Sequence, residues 1–282
     1  MGSEGQLVGI LSHPPPRPAA AAVVSPSVAP GLAFIILNAG VLHRVGPHRL
    51  HVLLARRIAA LGITGLRVDL GGIGDSIASS DATSFRDSAV ADTRLAMTSL
   101  TAATGAQRFV LFGVCSGADN SLATALADAR VAGIVLVDPP TYPTRRGQLR
   151  FLRTRVAQRG SAGDAIKWGI SVARRRIRDT ARQLAVPDPE DQTSGGRERP
   201  PVDVFHAQLN RLVDRGVRIL AVYSGIHGAG YNRNDQLFEL FPDLRGRMDQ
   251  MYFPDSNHTF TELAAQAALL DAVAAWTTKR FG

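Results

Sequence analysis

The sequence contains one cysteine, Cys115, among 282 residues. That excludes an intramolecular disulfide and fits a reducing compartment. Aromatic residues make up only 6%, with no basic–aromatic interleaving of the kind that stacks on unpaired bases, so no nucleic-acid partner is expected. No apolar run approaches the ~20 residues that cross a bilayer. The start, Met1-Gly2-Ser3-Glu4-Gly5-Gln6, lacks the basic and apolar stretches of a secretory signal. A soluble, cytoplasmic protein is therefore expected. Neither a metal nor a cofactor is expected.

What is present is an alternation of two periodicities. Short apolar runs at 6–11, 32–37, 65–70, 109–112, 131–137, 217–223 and 248–253 read as strands. Stretches of helical spacing lie between most of them, at 49–61, 88–104, 118–128 and 204–214, and a last one at 261–278 follows the final strand. Strands alternating with helices predict an α/β fold with a mostly parallel, doubly wound sheet.

Charge divides the chain differently. From Thr141 to Arg182 there are twelve Lys and Arg against Asp164 and Asp179, a balance of +10, whereas the whole chain carries only +8. The rest is thus slightly acidic. Within this segment Leu149, Leu152 and Val156 share one helical face, and Ile166, Ile170, Ala173, Ile177, Ala181 and Leu184 share another. Two amphipathic helices with arginine-rich outer faces are expected, followed by a polar linker at 187–201. The domain reading is a core in two parts, 1–140 and 202–282, interrupted by a basic helical cap and linker at 141–201.

The most specific signal is Gly113-Val114-Cys115-Ser116-Gly117, between the strand at 109–112 and the helix at 118–128. A glycine two residues either side of a central residue, in a strand–turn–helix context, marks a strained turn that presents a nucleophile. The register selects Cys115, and Ser116 falls one place too late. At a helix N-terminus the backbone dipole favours a thiolate.

Together with Asn38-Ala39-Gly40, Asp69-Leu70-Gly71-Gly72-Ile73-Gly74-Asp75-Ser76 and Asn257-His258-Thr259-Phe260, this turn makes the chain resemble the α/β-hydrolase superfamily over nearly its whole length. More narrowly it is similar to hydrolases associated with exosortase systems and their relatives in biosynthetic clusters, which share the Asp-Leu-x-Gly-x-Gly-Asp-Ser turn and a central cysteine. The resemblance implies Cys115 as nucleophile, His258 as general base, and an oxyanion hole built from the backbone N–H groups of Ser116 and Val41. His43 and Arg44, just beyond Gly40, are expected to line the substrate pocket. His13, His48, His51 and His206 read as solvated or ordinary helix residues. The acid stays open. The family's usual place after the 217–223 strand holds Ser224-Gly225-Ile226-His227-Gly228-Ala229, without a carboxylate. Asp138, ending the 131–137 strand, and Asp235 are the candidates, and a site with no acid is the third possibility.

A cysteine nucleophile also constrains the donor. Acyl transfer from an oxygen ester or amide onto a thiol runs uphill, whereas transfer from a thioester is nearly neutral. The expected function is an acyl hydrolase or acyltransferase taking a small acyl substrate from an acyl-CoA or acyl-carrier-protein thioester. The basic segment suits such acidic donors. A non-catalytic binding protein that has lost its acid is the alternative.

Overall fold

The computed structural model describes residues 6–16, 30–78, 84–157, 199–228 and 230–282. Seven strands form one sheet: β1 (Gly9–Ser12), β2 (Leu32–Ile36), β3 (Thr64–Val68), β4 (Arg108–Val114), β5 (Val131–Val137), β6 (Arg218–Ser224) and β7 (Asp249–Phe253), in the order β1-β3-β2-β4-β5-β6-β7. Only the β1–β3 pairing is antiparallel. The helices are α1 (Leu50–Ala60), α2 (Phe85–Thr104), α3 (Ser116–Ala127), α4 (Arg145–Ala157), α5 (Val202–Asp214), the short α6 (Gln236–Leu240) and α7 (Leu263–Phe281).

The central strands are apolar on both faces because both faces are covered. Ala33, Ile35, Leu111 and Leu136 turn to one core, shared with Met97 of α2, Leu122 of α3 and Leu209 of α5. Phe34, Ile36, Val110 and Phe112 turn to the other, shared with Leu54 of α1 and Val273 and Trp276 of α7. Phe34, Phe109 and Phe112 are fully buried, each contributing about 1.5–3 kcal/mol relative to exposure. Helix boundaries follow local chemistry. The Ser84 hydroxyl accepts the Asp87 N–H at 3.2 Å ahead of α2, and Gly105, at φ +74°, closes the same helix.

Strand register places the functional edge. Val114 of β4 pairs with Val137 of β5, so Cys115 and Asp138 leave neighbouring strands side by side at the carboxyl edge of the sheet. That edge is where open α/β sheets receive ligands. The Cys115 N–H still donates to Val137 O at 3.0 Å, and the Asp138 N–H to Val222 O at 2.8 Å.

The expected cap is described only in part. Its first helix is α4; the second, expected over 166–184, and residues 187–198 of the linker lie outside the described residues. In α4 the expected contact face is corrected. Leu149, Leu152 and Val156 are each more than two-fifths exposed. Buried Gly147 and, four residues on, Phe151 form the inward side instead, with Phe151 packed over Gly228. No helix among the described residues is long and apolar enough to cross a membrane.

His51 lies in α1, as one of its two expected readings had it. It is not solvated: it is fully buried, edge-on to Phe112 at 6.0 Å between ring centres, and neither ring nitrogen has a hydrogen-bond partner. Burial, helped by the charge of Arg67, pulls its pKa down to about 3. The folded protein therefore keeps His51 neutral while the unfolded chain protonates near pH 6.5, so this contribution to stability is full above pH 6.5 and is lost as the pH falls toward 3. Between pH 7 and pH 5 the loss from this residue is about 2 kcal/mol. In urea unfolding, His51→Phe is expected to flatten the decline in midpoint over that interval; an unchanged slope would refute the assignment.

Candidate active site

The turn between β4 and α3 is built by backbone contact. A Cβ on Gly113 would lie 2.0 Å from the Gly117 carbonyl, and one on Gly117 would lie 2.4 Å from Asn38 O. Both positions therefore require glycine, and the first turn of α3 can press directly onto the ends of β4 and β2. The residue between them takes the strain: Cys115 has φ +57° and ψ −118°, a conformation costing about 1–3 kcal/mol. Its side chain is partly exposed at the head of α3.

Opposite this turn runs the loop 38–46. Ser116, assigned only a backbone role from the sequence, also accepts the Gly40 N–H on its hydroxyl at 2.9 Å. One hydrogen bond thus ties the loop to the head of α3. The Ser116 and Val41 N–H groups have no acceptor among the described residues, and Val41 is 88% exposed. Behind the loop, buried Asp69 takes the Asn38 amide at 3.0 Å, the Arg44 N–H at 2.5 Å and the Arg44 guanidinium. Asn38 in turn accepts the Leu70 N–H at 2.8 Å and donates to Leu42 O at 2.9 Å. Arg44 is consequently a strut: its guanidinium bridges Asp69 and Asp75. His43 is exposed and takes only a local contact from the Val45 N–H at 3.4 Å.

His258 occupies the loop after β7. The Asn257 side chain accepts the N–H groups of Thr259 and Thr261 at 3.2 and 3.1 Å, and fully buried Phe260 anchors the loop against Phe253. So held, His258 Nδ1 donates to Asp138 Oδ2 at 2.6 Å, and the imidazole also hydrogen-bonds Cys115. The bond to Asp138 and the one to Cys115 outweigh burial and raise the His258 pKa to about 9. Of the two candidate acids, Asp138 is the one His258 touches. Asp235 precedes α6 at the surface, 3.6 Å from Arg245.

Asp138 is itself unusual. It has φ +50° and no solvent exposure. Burial works against its charge, but contacts from His227 and His258 and the Ser224 N–H override this and hold the carboxyl well below the ordinary carboxylate range. Ser224 donates twice, from N–H to Oδ1 and from its hydroxyl to Oδ2, each at 2.7 Å. His227 Nε2 lies 2.9 Å from Oδ1. Sequence reasoning assigned no role to Ser224 or His227; the only sequence signal was a polar and a basic residue where a carboxylate was sought. Among the described residues no cluster of His, Cys, Asp and Glu is arranged to hold a metal.

No family model matches the chain, and no curated protein matches it. Solved structures do. A serine hydrolase without a lid from Xanthomonas campestris aligns at 16% identity and a TM-score of 0.52, over 98% of this chain and 89% of its own. A thermophilic esterase from Thermogutta terrifontis aligns at 16% identity and a TM-score of 0.55, over 98% and 94%. Est1E from Butyrivibrio proteoclasticus, solved with ferulic acid, gives 16%, 0.55, 97% and 95%. At these identities the likeness concerns architecture alone. The chain has the α/β-hydrolase fold, with Cys115 at the turn between its central strand and the following helix.

Proposed function

We propose that the protein is an acyl hydrolase or acyltransferase that uses Cys115 as nucleophile, His258 as proton carrier and Asp138 as the acid that orients it. The observation carrying this reading is the continuous contact Cys115–His258–Asp138 at the carboxyl edge of the sheet. The non-catalytic alternative rested on the missing acid after β6, and it loses that support with Asp138 Oδ2 2.6 Å from His258.

In the proposed reaction the Cys115 thiolate attacks a thioester carbonyl carbon, and the negative oxygen turns toward the free Ser116 and Val41 N–H groups. The carbon–sulfur bond of the donor breaks, and the departing thiolate takes the proton of the His258 imidazolium. Neutral His258 then removes a proton from water, an alcohol or an amine as it attacks the acyl-cysteine, and the Cys115 thiolate leaves. Asp138 keeps the proton on Nδ1 throughout, so the ring's other nitrogen does the exchanging. The thioester preference follows from the energetics of a thiol acceptor. CoA or acyl-carrier protein suits the five exposed arginines of α4, Arg145, Arg146, Arg150, Arg153 and Arg155.

Intact-mass measurement after incubation with an acyl-CoA panel tests the covalent step. An acyl adduct is expected in the native protein and in His258→Ala at a rate lower by about 10²–10⁴-fold, and none in Cys115→Ala. An undiminished adduct in Cys115→Ala sinks the mechanism.

The pH dependence has a definite sign. Because the His258 pKa is raised to about 9, the imidazolium survives through neutral pH and is lost above it. Acylation by a small neutral thioester should therefore fall on an alkaline limb near pH 9, and this limb belongs to the Cys115–His258 pair as a unit. Asp138→Asn should move the limb to lower pH. A limb that ignores this substitution argues against Asp138 as the orienting acid.

Donor recognition is tested by salt. Exposed charges act through a screened field, so kcat/KM for acyl-CoA should fall as salt rises while that for a small neutral thioester holds. Reversing Arg145, Arg150 and Arg153 to Glu should raise KM for acyl-CoA selectively. Equal changes on both donors would exclude electrostatic recognition by α4.

A further inference from the structure

The Asp138 carboxylate has two imidazoles on it, and only one has a role in the proposed chemistry. Both of its oxygens are engaged. Oδ2 receives the Ser224 hydroxyl at 2.7 Å and His258 Nδ1 at 2.6 Å; Oδ1 receives the Ser224 N–H at 2.7 Å, and His227 Nε2 lies 2.9 Å from it. His227 arrives from the short 3-10 turn Gly225–His227 that follows β6. That turn is fixed by the Gly225 N–H to Ser256 O bond at 3.0 Å and by the Gly230 N–H to His227 O bond at 2.8 Å. A Cβ on Gly225 would stand 1.8 Å from Pro254 O, so the turn is pressed against the loop that carries His258.

We propose that His227 is a positioning residue of this site: by holding Oδ1 of Asp138 it fixes the carboxylate plane and tempers the pull of Oδ2 on His258. This rests on the reading of Cys115, His258 and Asp138 given above. The tautomer follows from distance alone. A bare ring nitrogen 2.9 Å from a carboxylate oxygen would set lone pair against lone pair, so Nε2 of His227 carries hydrogen. The N–H does not lie along the line to Oδ1, and Nε2 has no other partner, so the contact is mainly electrostatic. Without it, the charge of a carboxylate with no access to solvent would fall more heavily on His258.

Among the described residues, the following groups face His227. Asp138 comes from the end of β5 with His258 behind it, Tyr223 of β6 stands edge-on at 6.4 Å between ring centres, and Phe151 of α4 covers the adjacent Gly228. Arg150, beside Phe151 on α4, sends its charge toward Tyr252 of β7.

The test reads His258 directly, by NMR titration of its ring in the full-length protein. His227→Phe should raise the His258 titration midpoint by about 0.5 unit or more, because Asp138 then has one donor fewer to share its charge. His227→Gln, which restores an N–H, should return the midpoint to the native value. Acylation by a neutral thioester should be about tenfold slower in the Phe variant, with the loss in kcat rather than KM, and recover in the Gln variant. Equal midpoints in the native and Phe proteins overturn the proposal. If the Phe variant does not fold, ¹⁵N correlation spectra of the native protein decide: at neutral pH they should show hydrogen on Nε2 of His227, and a bare Nε2 overturns it. These spectra need no substrate. An altered midpoint without any acyl adduct on Cys115 would overturn the catalytic reading alone, while an adduct with an unaltered midpoint would overturn the His227 assignment alone.

Discussion

The site depends on one close approach of backbone to backbone. The first turn of α3 rests on the ends of β4 and β2 with no side chain between, because Gly113 and Gly117 leave room for none. This contact forces Cys115 to φ +57°, lifts its sulfur out of the sheet and points the N-terminus of α3 at it. It also brings Ser116 within reach of Gly40, so the loop after β2 takes its place from the same contact. The two packed cores lie on either side of the sheet that carries this turn.

Around that turn, charge is buried in matched sets. Asp69 is surrounded by Asn38, Arg44 and backbone N–H groups, and Asp138 by Ser224, His227 and His258. Both carboxyls titrate below their ordinary range because donors outweigh the cost of burial. One cluster fixes a loop and the other fixes a ring. His51 is the contrasting case, a buried titratable group with no donor or acceptor to meet it, and it stays neutral. Charge is thus maintained at Asp69 and Asp138 and suppressed at His51.

Much of this was legible in the sequence. The strand at 131–137 and the order of strands and helices follow from apolar runs and helical spacing, and the elbow follows from Gly113-x-Cys115-x-Gly117. His258 could be singled out because of where it falls after the last strand. The sequence left Asp138, Asp235 or no acid open, since both carboxylates stand beside plausible turn chemistry; register is what sets Val137 beside Val114 and so Asp138 beside Cys115. The contacts of Ser224 and His227 with Asp138 were invisible because they span 86 and 89 positions of chain. The partners of Arg44, and the lack of one for His51, were invisible for the same reason: they are facts of folding rather than of local pattern. The inward side of α4 went unrecognised because Gly147, which offers no apolar side chain, marks it.

The position of Asp138 along the chain has its own consequence. It ends β5, ahead of the segment 141–201, and sits one strand spacing from Cys115, near 4.8 Å in any sheet. Cys115 and Asp138 are therefore carried by the two adjacent strands β4 and β5, and the bulk of the insertion enters only after both are in place. Here the arginine-rich segment can lengthen, shorten or change its charge across descendants without altering the spacing of those two side chains. The spacing of that pair is thus independent of the segment that follows it.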